Sequence, residues 1–299
     1  MKYLTVKIKT KYFSSKDTLL SVLKEIENSV SYDELIEYFI KSIKDFFHKA
    51  GKSKAVVGLS GGIDSSLTLF LLIESLGKEN IIPVYLPYLK DKSAERNILK
   101  LKEFLGLKNL ISVNINSFVD NLKNVLDKEY KTYLKTVNFD DKIRTGNIAS
   151  RLRVNIFYDV AKVVDGLVIG TGIKTEFLLG YSAKYGTPFS CDFGVLNDLY
   201  KIDIYNLANI LNIPEEIINS TPTTGYYYGH SHEEELGVPL FELDAVLFLK
   251  FEKALEENII KSKYNIKPEL IDKVNCMYLT SKHKRLIRHP YIKVRRNKR

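Results

Sequence analysis

The sequence predicts an α/β fold: a single doubly wound domain whose parallel sheet is flanked by helices. Three observations carry this expectation. Short apolar runs alternate with longer amphipathic stretches, the pattern of a parallel sheet covered on both faces. Glycines and hydroxyls cluster at 60–66, where one apolar run ends, and open parallel sheets bind ligands at such places. No internal repeat or low-complexity linker divides the 299 residues, a length that one large domain can fill.

Residues 3–13 alternate like an edge strand, with Leu4, Val6 and Ile8 on one face and Lys7 and Lys9 on the other. A helix follows over about 16–28. Ser31 with Glu34 forms a capping-box pattern, and Leu35, Ile36, Phe39, Ile40 and Ile43 continue at helical spacing. Strands and helices then alternate: strand 55–59, helix 64–76, strand 81–86, helix 92–105, strand 110–115 and helix 117–128. A helix near 147–164, a strand at 167–170 and a helix around 203–211 complete the pattern. Residues 221–237, TPTTGYYYGHSHEEELG, combine turn formers with aromatics and read as a mobile lid over an active site.

A composition of 45% hydrophobic and 27% charged residues is ordinary for a soluble globular protein. No apolar stretch approaches membrane-spanning length. The N-terminus, MKYLTVKIKTKYF, mixes basic residues into its apolar ones, unlike a signal peptide. Two cysteines, Cys191 and Cys276, form no CxxC pair and support neither a zinc knuckle nor a disulfide framework. The cytoplasm is the expected compartment. The net charge of +9 is concentrated at one end: the last 19 residues, SKHKRLIRHPYIKVRRNKR, hold nine Lys or Arg and no acid. The rest of the chain is neutral, so the basicity reads first as a solvated tail, with anion or polynucleotide binding as the competing readings.

In the run VVGLSGGIDSS (56–66), Ser60, Gly61, Gly62, Ser65 and Ser66 fall at the carboxyl end of a strand. Glycines there let the backbone approach an anion, and hydroxyls add donors, which makes a phosphate cradle. No lysine follows the second glycine, so this is not the loop of kinases and GTPases. Asp64 adds a negative charge beside the phosphates, which suits a residue holding Mg²⁺; the bland alternative is a helix-capping acid in a glycine-rich turn.

SGGIDSS resembles the pyrophosphate loop of the N-type ATP pyrophosphatases, which activate a carboxyl or carbonyl group as an adenylate and share an adenine nucleotide alpha hydrolase-like fold. Later segments are similar to the NAD synthetase family in particular: GNIASRLRVNIFYDVA (146–161), VIGTGIKTEFLLGYSAKYG (168–186), NDLYKIDIYNLANILNIPEEII (197–218) and SKHKR (281–285). The resemblance spans roughly 31–290. It leaves 1–30 as an N-terminal extension and 291–299 as a basic tail.

The resemblance implies ATP-dependent amidation of deamido-NAD to NAD with ammonia, releasing AMP and pyrophosphate. It implies Mg²⁺ held by Asp64 and Glu176. ATP would be bound by the 60–66 residues with Thr171 and Lys184, Lys184 also neutralising the leaving pyrophosphate. Asn147, Arg151, Lys201, His283 and Lys284 would meet the acid substrate, with Arg153 the least assured of the cations. A homodimer is implied, with Leu152, Ile156 and Phe157 of helix 147–164 as candidate interface residues.

Two places depart from the family pattern. His230-Ser231-His232-Glu233 stands where Gln-Thr-Asp-Glu is common, and Thr187 stands where an acid is common. The ATP half of the site is intact and the acid half altered. Only about 50 residues precede the loop, and neither cysteine has a Cys-His setting, so free ammonia, or ammonia from a partner protein, is the expected nitrogen source. The competing functions are an amidase for another carboxylate, a tRNA-modifying relative suggested by the basic tail, and a nucleotide-binding protein without catalysis. The absence of a CxxC pair argues against tRNA thiolation, and the presence of Glu176 and Lys184 argues against a catalytically silent binder.

Overall fold

The computed structural model describes residues 8, 10–134, 141–220, 232–286 and 291–294. Two helices lead in, α1 (Lys16–Glu27) and α2 (Tyr32–Ala50), ahead of β1 (Lys54–Gly58) and α3 (Ile63–Leu76). Next come β2 (Ile81–Tyr85), α4 (Lys92–Leu105), β3 (Ile111–Ser112), α5 (Asn116–Tyr133) and α6 (Asp141–Val163). The sheet resumes with β4 (Gly166–Gly170), followed by α7 (Lys174–Leu179), β5 (Phe193–Gly194), α8 (Lys201–Ile210) and α9 (Glu215–Ile218). The short α10 (His232–Leu236) precedes α11 (Leu240–Phe251), α12 (Glu257–Tyr264), α13 (Pro268–Thr280) and α14 (Lys282–Arg285).

All strand pairs are parallel, in the order β3-β2-β1-β4-β5. The chain moves outward from β1 to β3, then returns across the sheet to lay β4 on the other side of β1. That reversal between β1 and β4 is the topological switch point, where a doubly wound sheet opens a crevice.

The strand period of two decides the layers. Ala55 and Val57 of β1 join Leu35, Phe39 and Ile43 of α2 and Leu67 and Leu71 of α3 on one face. Val56 turns to the other face with Val84, Val119 of α5 and Phe157 of α6. A third, mostly helical cluster gathers Leu19, Val22, Leu23 and Ile26 of α1 around Leu243, Val246 and Leu247 of α11 and Leu270 and Val274 of α13.

Several sequence expectations are altered. Ser31 caps α2 without a side-chain hydrogen bond, so the Ser31–Glu34 capping box is not made. The strand expected over 110–115 keeps only two paired residues. α6 begins at Asp141, upstream of the expected start near 147, running straight through Gly146. Phe157 is buried against its own sheet, with Leu152 and Ile156 half-buried beside it. Of the proposed edge strand, Phe13 pairs antiparallel with Ile266, while residues 1–7 and 9 lie outside the described residues. The lid expected over 221–237 falls there too for 221–231, including His230.

Candidate functional site

The loop after β1 is set by contacts that only certain residues permit. Gly61 has φ +80°, and a Cβ on it would lie 2.8 Å from the Ala94 backbone, so glycine is required twice over. Asn97, buried on α4, donates its amide to the Gly61 carbonyl at 2.8 Å. The hydroxyls then knit the turn. The Ser60 amide donates to Ser65 Oγ at 3.1 Å, the Gly62 amide to Ser60 Oγ at 3.2 Å, and Ser66 Oγ to the Gly62 carbonyl at 2.8 Å. Asp64 falls in the first turn of α3.

Across the switch point, β4 delivers Thr171 and then α7, whose third residue is Glu176. Its carboxylate accepts the Ile173 amide at 3.2 Å. Asp64 and Glu176 line one cavity of about 180 Å³, with Ser60, Ser65 and Thr171. The cavity wall is largely apolar, including Tyr85, Leu86, Phe157 and Val168, with Arg153 among the lining residues. Arg153 Nε donates to the Leu86 carbonyl at 3.0 Å. Gly58 lets the wall close, since a Cβ there would sit 2.4 Å from the Phe157 ring. An apolar slot ending in hydroxyls and carboxylates can take a flat aromatic base at one end and charged phosphates at the other.

Lys201, the first residue of α8, donates to both oxygens of Asp64, at 2.7 and 2.8 Å, with only 2% of its side chain exposed. The sequence places Lys201 among cations meeting a dinucleotide; in the structure its ammonium is paired with Asp64. Burial alone would lower its ammonium, but the charge of Asp64, aided by Tyr205 and Glu176, holds it above its ordinary value. The Glu176 carboxyl is pushed up to about 8, first by burial and then by the nearby charge of Asp64, against the opposing pull of Lys201. A buried carboxyl raised by the charge of a neighbouring carboxylate marks a place where a divalent cation gains.

Asp64 and Glu176 supply oxygen donors, which Mg²⁺ prefers, and two carboxylates plus substrate phosphates make a usual Mg²⁺ shell. Among the described residues no group of three or more His, Cys, Asp or Glu could hold a metal unaided. The donor set therefore fits a cation that arrives with phosphate oxygens.

The other expected residues separate from this centre. Lys184 sits over the Tyr185 ring at 5.3 Å and lines a second, smaller cleft with Phe177, Phe189, Lys284 and Arg285. Lys284 donates to the Gly180 and Ser182 carbonyls, both at 2.7 Å, and burial lowers its ammonium. Arg151 is exposed, with Nε donating to the Lys184 carbonyl at 3.0 Å. His283 is exposed, its Nδ1 3.1 Å from the Thr280 carbonyl. Asn147 is half-buried on α6, away from the lining of the main cavity. Thr187 lines the main cavity, its hydroxyl 3.0 Å from Ser150 Oγ. Sequence reasoning missed Asn97 as a loop anchor; its signal was a polar residue on the apolar face of α4.

Residues 35–288 match the model of the NAD synthase family. The chain belongs to that family. It is 40% identical to an NH(3)-dependent NAD(+) synthetase of Thermoplasma acidophilum over 82% of this chain and 94% of the relative. A second, from Fusobacterium nucleatum, is 35% identical over 88% and 93%. Among solved structures, an NH3-dependent NAD synthetase from Campylobacter jejuni in complex with the nitrate ion superposes with a TM-score of 0.66 and 28% identity, covering 89% of this chain and all of that one. NAD synthase family members are ATP-using ligases that form a C–N bond, and this chain is one of them.

Proposed function

We propose that the chain converts deamido-NAD to NAD with ATP and ammonia, using the cavity at the switch point for ATP and the carboxylates that line it for the reacting phosphates. The observation that carries this is the meeting of Asp64 and Glu176 beside the hydroxyl loop. A carboxylate oxygen of the acid attacks the α-phosphorus of ATP, the bond to pyrophosphate breaks, and an acyl-adenylate results. Ammonia then attacks the acyl carbon; AMP leaves with the bonding electrons, and a proton is lost. No side chain becomes covalently attached.

The residues contribute by position and charge. Ser60 and Ser65 present hydroxyls to phosphate, the apolar wall excludes water from the adenylate, and Asp64 and Glu176 would hold Mg²⁺. When bound, that ion neutralises phosphate charge. Lys184, Lys284 and Arg285 lie together in the second cleft, a cationic setting suited to an acidic dinucleotide. A homodimer fits an exposed stripe at helical spacing on α5, Phe118, Leu122 and Val125, which are 57, 46 and 63% exposed. Among the described residues no helix is long and apolar enough to cross a membrane, which fits work in the cytoplasm on dissolved substrates.

The test is to incubate the protein with ATP, Mg²⁺, ammonium and deamido-NAD and to follow NAD and AMP. Equal yields of both are expected. Amidation of some other carboxylate, with none of deamido-NAD, would replace the substrate and keep the chemistry; submicromolar, salt-sensitive tRNA binding with no NAD formed would overturn both.

A further inference from the structure

Three charged groups meet where Asp64 and Glu176 line the cavity and Lys201 pairs with Asp64, and one of them is a cation with nowhere to go. Lys201 is held by both oxygens of Asp64 at 2.7 and 2.8 Å, lies 5.9 Å from the Tyr205 ring centre and is sealed from solvent along its length. Its backbone is fixed as well: the amide of Ile202 donates to buried Asp244 at 3.2 Å. A cation at the first position of a helix opposes the helix dipole, so α8 gains nothing from a lysine there. The gain is at Asp64.

We propose that Lys201 is a resident counter-ion that keeps divalent metal off Asp64 until the nucleotide arrives, so that metal and ATP enter as one unit. This rests on the reading of Asp64 and Glu176 as the metal-holding pair. With Lys201 in place the charge of Asp64 is already balanced, and a dication entering the cluster meets the ammonium as a like charge that burial leaves poorly screened. Both Asp64 oxygens are already engaged, so a metal alone displaces a charge-assisted hydrogen bond to gain one ligand. A triphosphate changes the balance by adding several negative charges and two or three oxygen ligands at the same point. Lys201 then faces an excess of negative charge and remains favourable beside the phosphates. The buried ammonium thereby suppresses the idle, metal-loaded enzyme while leaving the loaded complex intact.

The probe is Mn²⁺ alone, titrated into the full-length protein and followed by the electron paramagnetic resonance of free Mn²⁺, then repeated with α,β-methylene-ATP. The intact chain is expected to bind Mn²⁺ weakly by itself and at least tenfold more tightly with the nucleotide. Lys201→Met, close in volume, is expected to bind Mn²⁺ alone at least tenfold more tightly than the intact chain and to gain little from the nucleotide. Lys201→Gln, which keeps a polar end, is the second variant should Met disturb folding. Tight binding of Mn²⁺ alone by the intact chain overturns the proposal without any variant. Equal, weak binding by Lys201→Met and the intact chain also overturns it, provided that nucleotide-dependent binding is lost in Asp64→Asn. Should Asp64→Asn and Glu176→Gln both bind Mn²⁺ with nucleotide as well as the intact chain, the metal reading itself falls, and the counter-ion role with it.

Discussion

Thr175 donates its hydroxyl to Asp244, 69 residues further along the chain, and both side chains are buried. The second oxygen of Asp244 accepts the Ile202 amide at 3.2 Å. One carboxylate on α11 thus ties the neighbour of Glu176 to the neighbour of Lys201. Asp244→Ala leaves two buried donors without their acceptor and is expected to cost about 2–4 kcal/mol of stability, measured by urea unfolding. Turnover should fall more than the affinity for ATP does. A loss under ~0.5 kcal/mol would show that water replaces the carboxylate.

Asp64→Asn and Glu176→Gln are each expected to lower turnover at least ~100-fold at saturating Mg²⁺, a loss of roughly 2.7 kcal/mol in transition-state stabilisation. Steady-state assays of NAD formation decide it, and near-normal turnover in both variants would remove these residues from the reaction.

Burial raises two carboxyls, Glu176 from 4.5 to about 8 and Asp244 from 3.8 to about 7. The native chain therefore holds protons that the unfolded chain has released. The stabilisation is complete below the unfolded values and is lost as pH rises through the folded ones. The melting temperature of the ligand-free protein should fall between about pH 5 and 8 from this source, with Asp64 and Lys201 the charged groups facing Glu176. Glu176→Gln should flatten the upper part of that slope. An unchanged slope in this variant would refute the shift.

The C-terminal residues divide in the structure. Tyr291 pairs in parallel with Gly194, Ile292 is 3% exposed in the sheet core, and the Val294 amide donates to Asp198 at 2.8 Å. Ending the chain at Val294 should leave NAD formation and melting temperature nearly unchanged. Ending it at Pro290 removes a buried isoleucine and should cost about 1.5–3 kcal/mol. Calorimetry of both truncations tests this; equal losses would mean the final basic residues matter for folding.

If the α5 stripe is the dimer face, Leu122→Glu should halve the mass seen by light scattering at micromolar concentration, with the fold intact by circular dichroism. A monomeric parent protein with full activity would reject the assembly.

The alternating elements were legible because a buried parallel strand and an amphipathic helix leave different apolar periods, as in Ala55–Val57 and Leu35–Phe39–Ile43. α11 was not, since LFELDAVLFLKF is buried on every side and shows no stripe. β5, with two paired residues, is too short to leave any period. At the site, the phosphate loop could be read from its local chain conformation. The partnership of Lys201 with Asp64 could not, because it joins residues 137 apart and depends on a burial that no local pattern records.

Helix α1 has its apolar side covered by α8 and α11, elements made long after it. Synthesis runs from the amino end at about 5–20 residues per second, so the roughly 200 residues between α1 and α11 take on the order of 10–40 s to emerge. Throughout that interval Leu19, Val22, Leu23 and Ile26 leave the ribosome with no mate in the chain. The start of the message is thus the part whose folding is decided last, and slowing translation ahead of α11 lengthens the time for which a sticky helix stands open to other nascent chains.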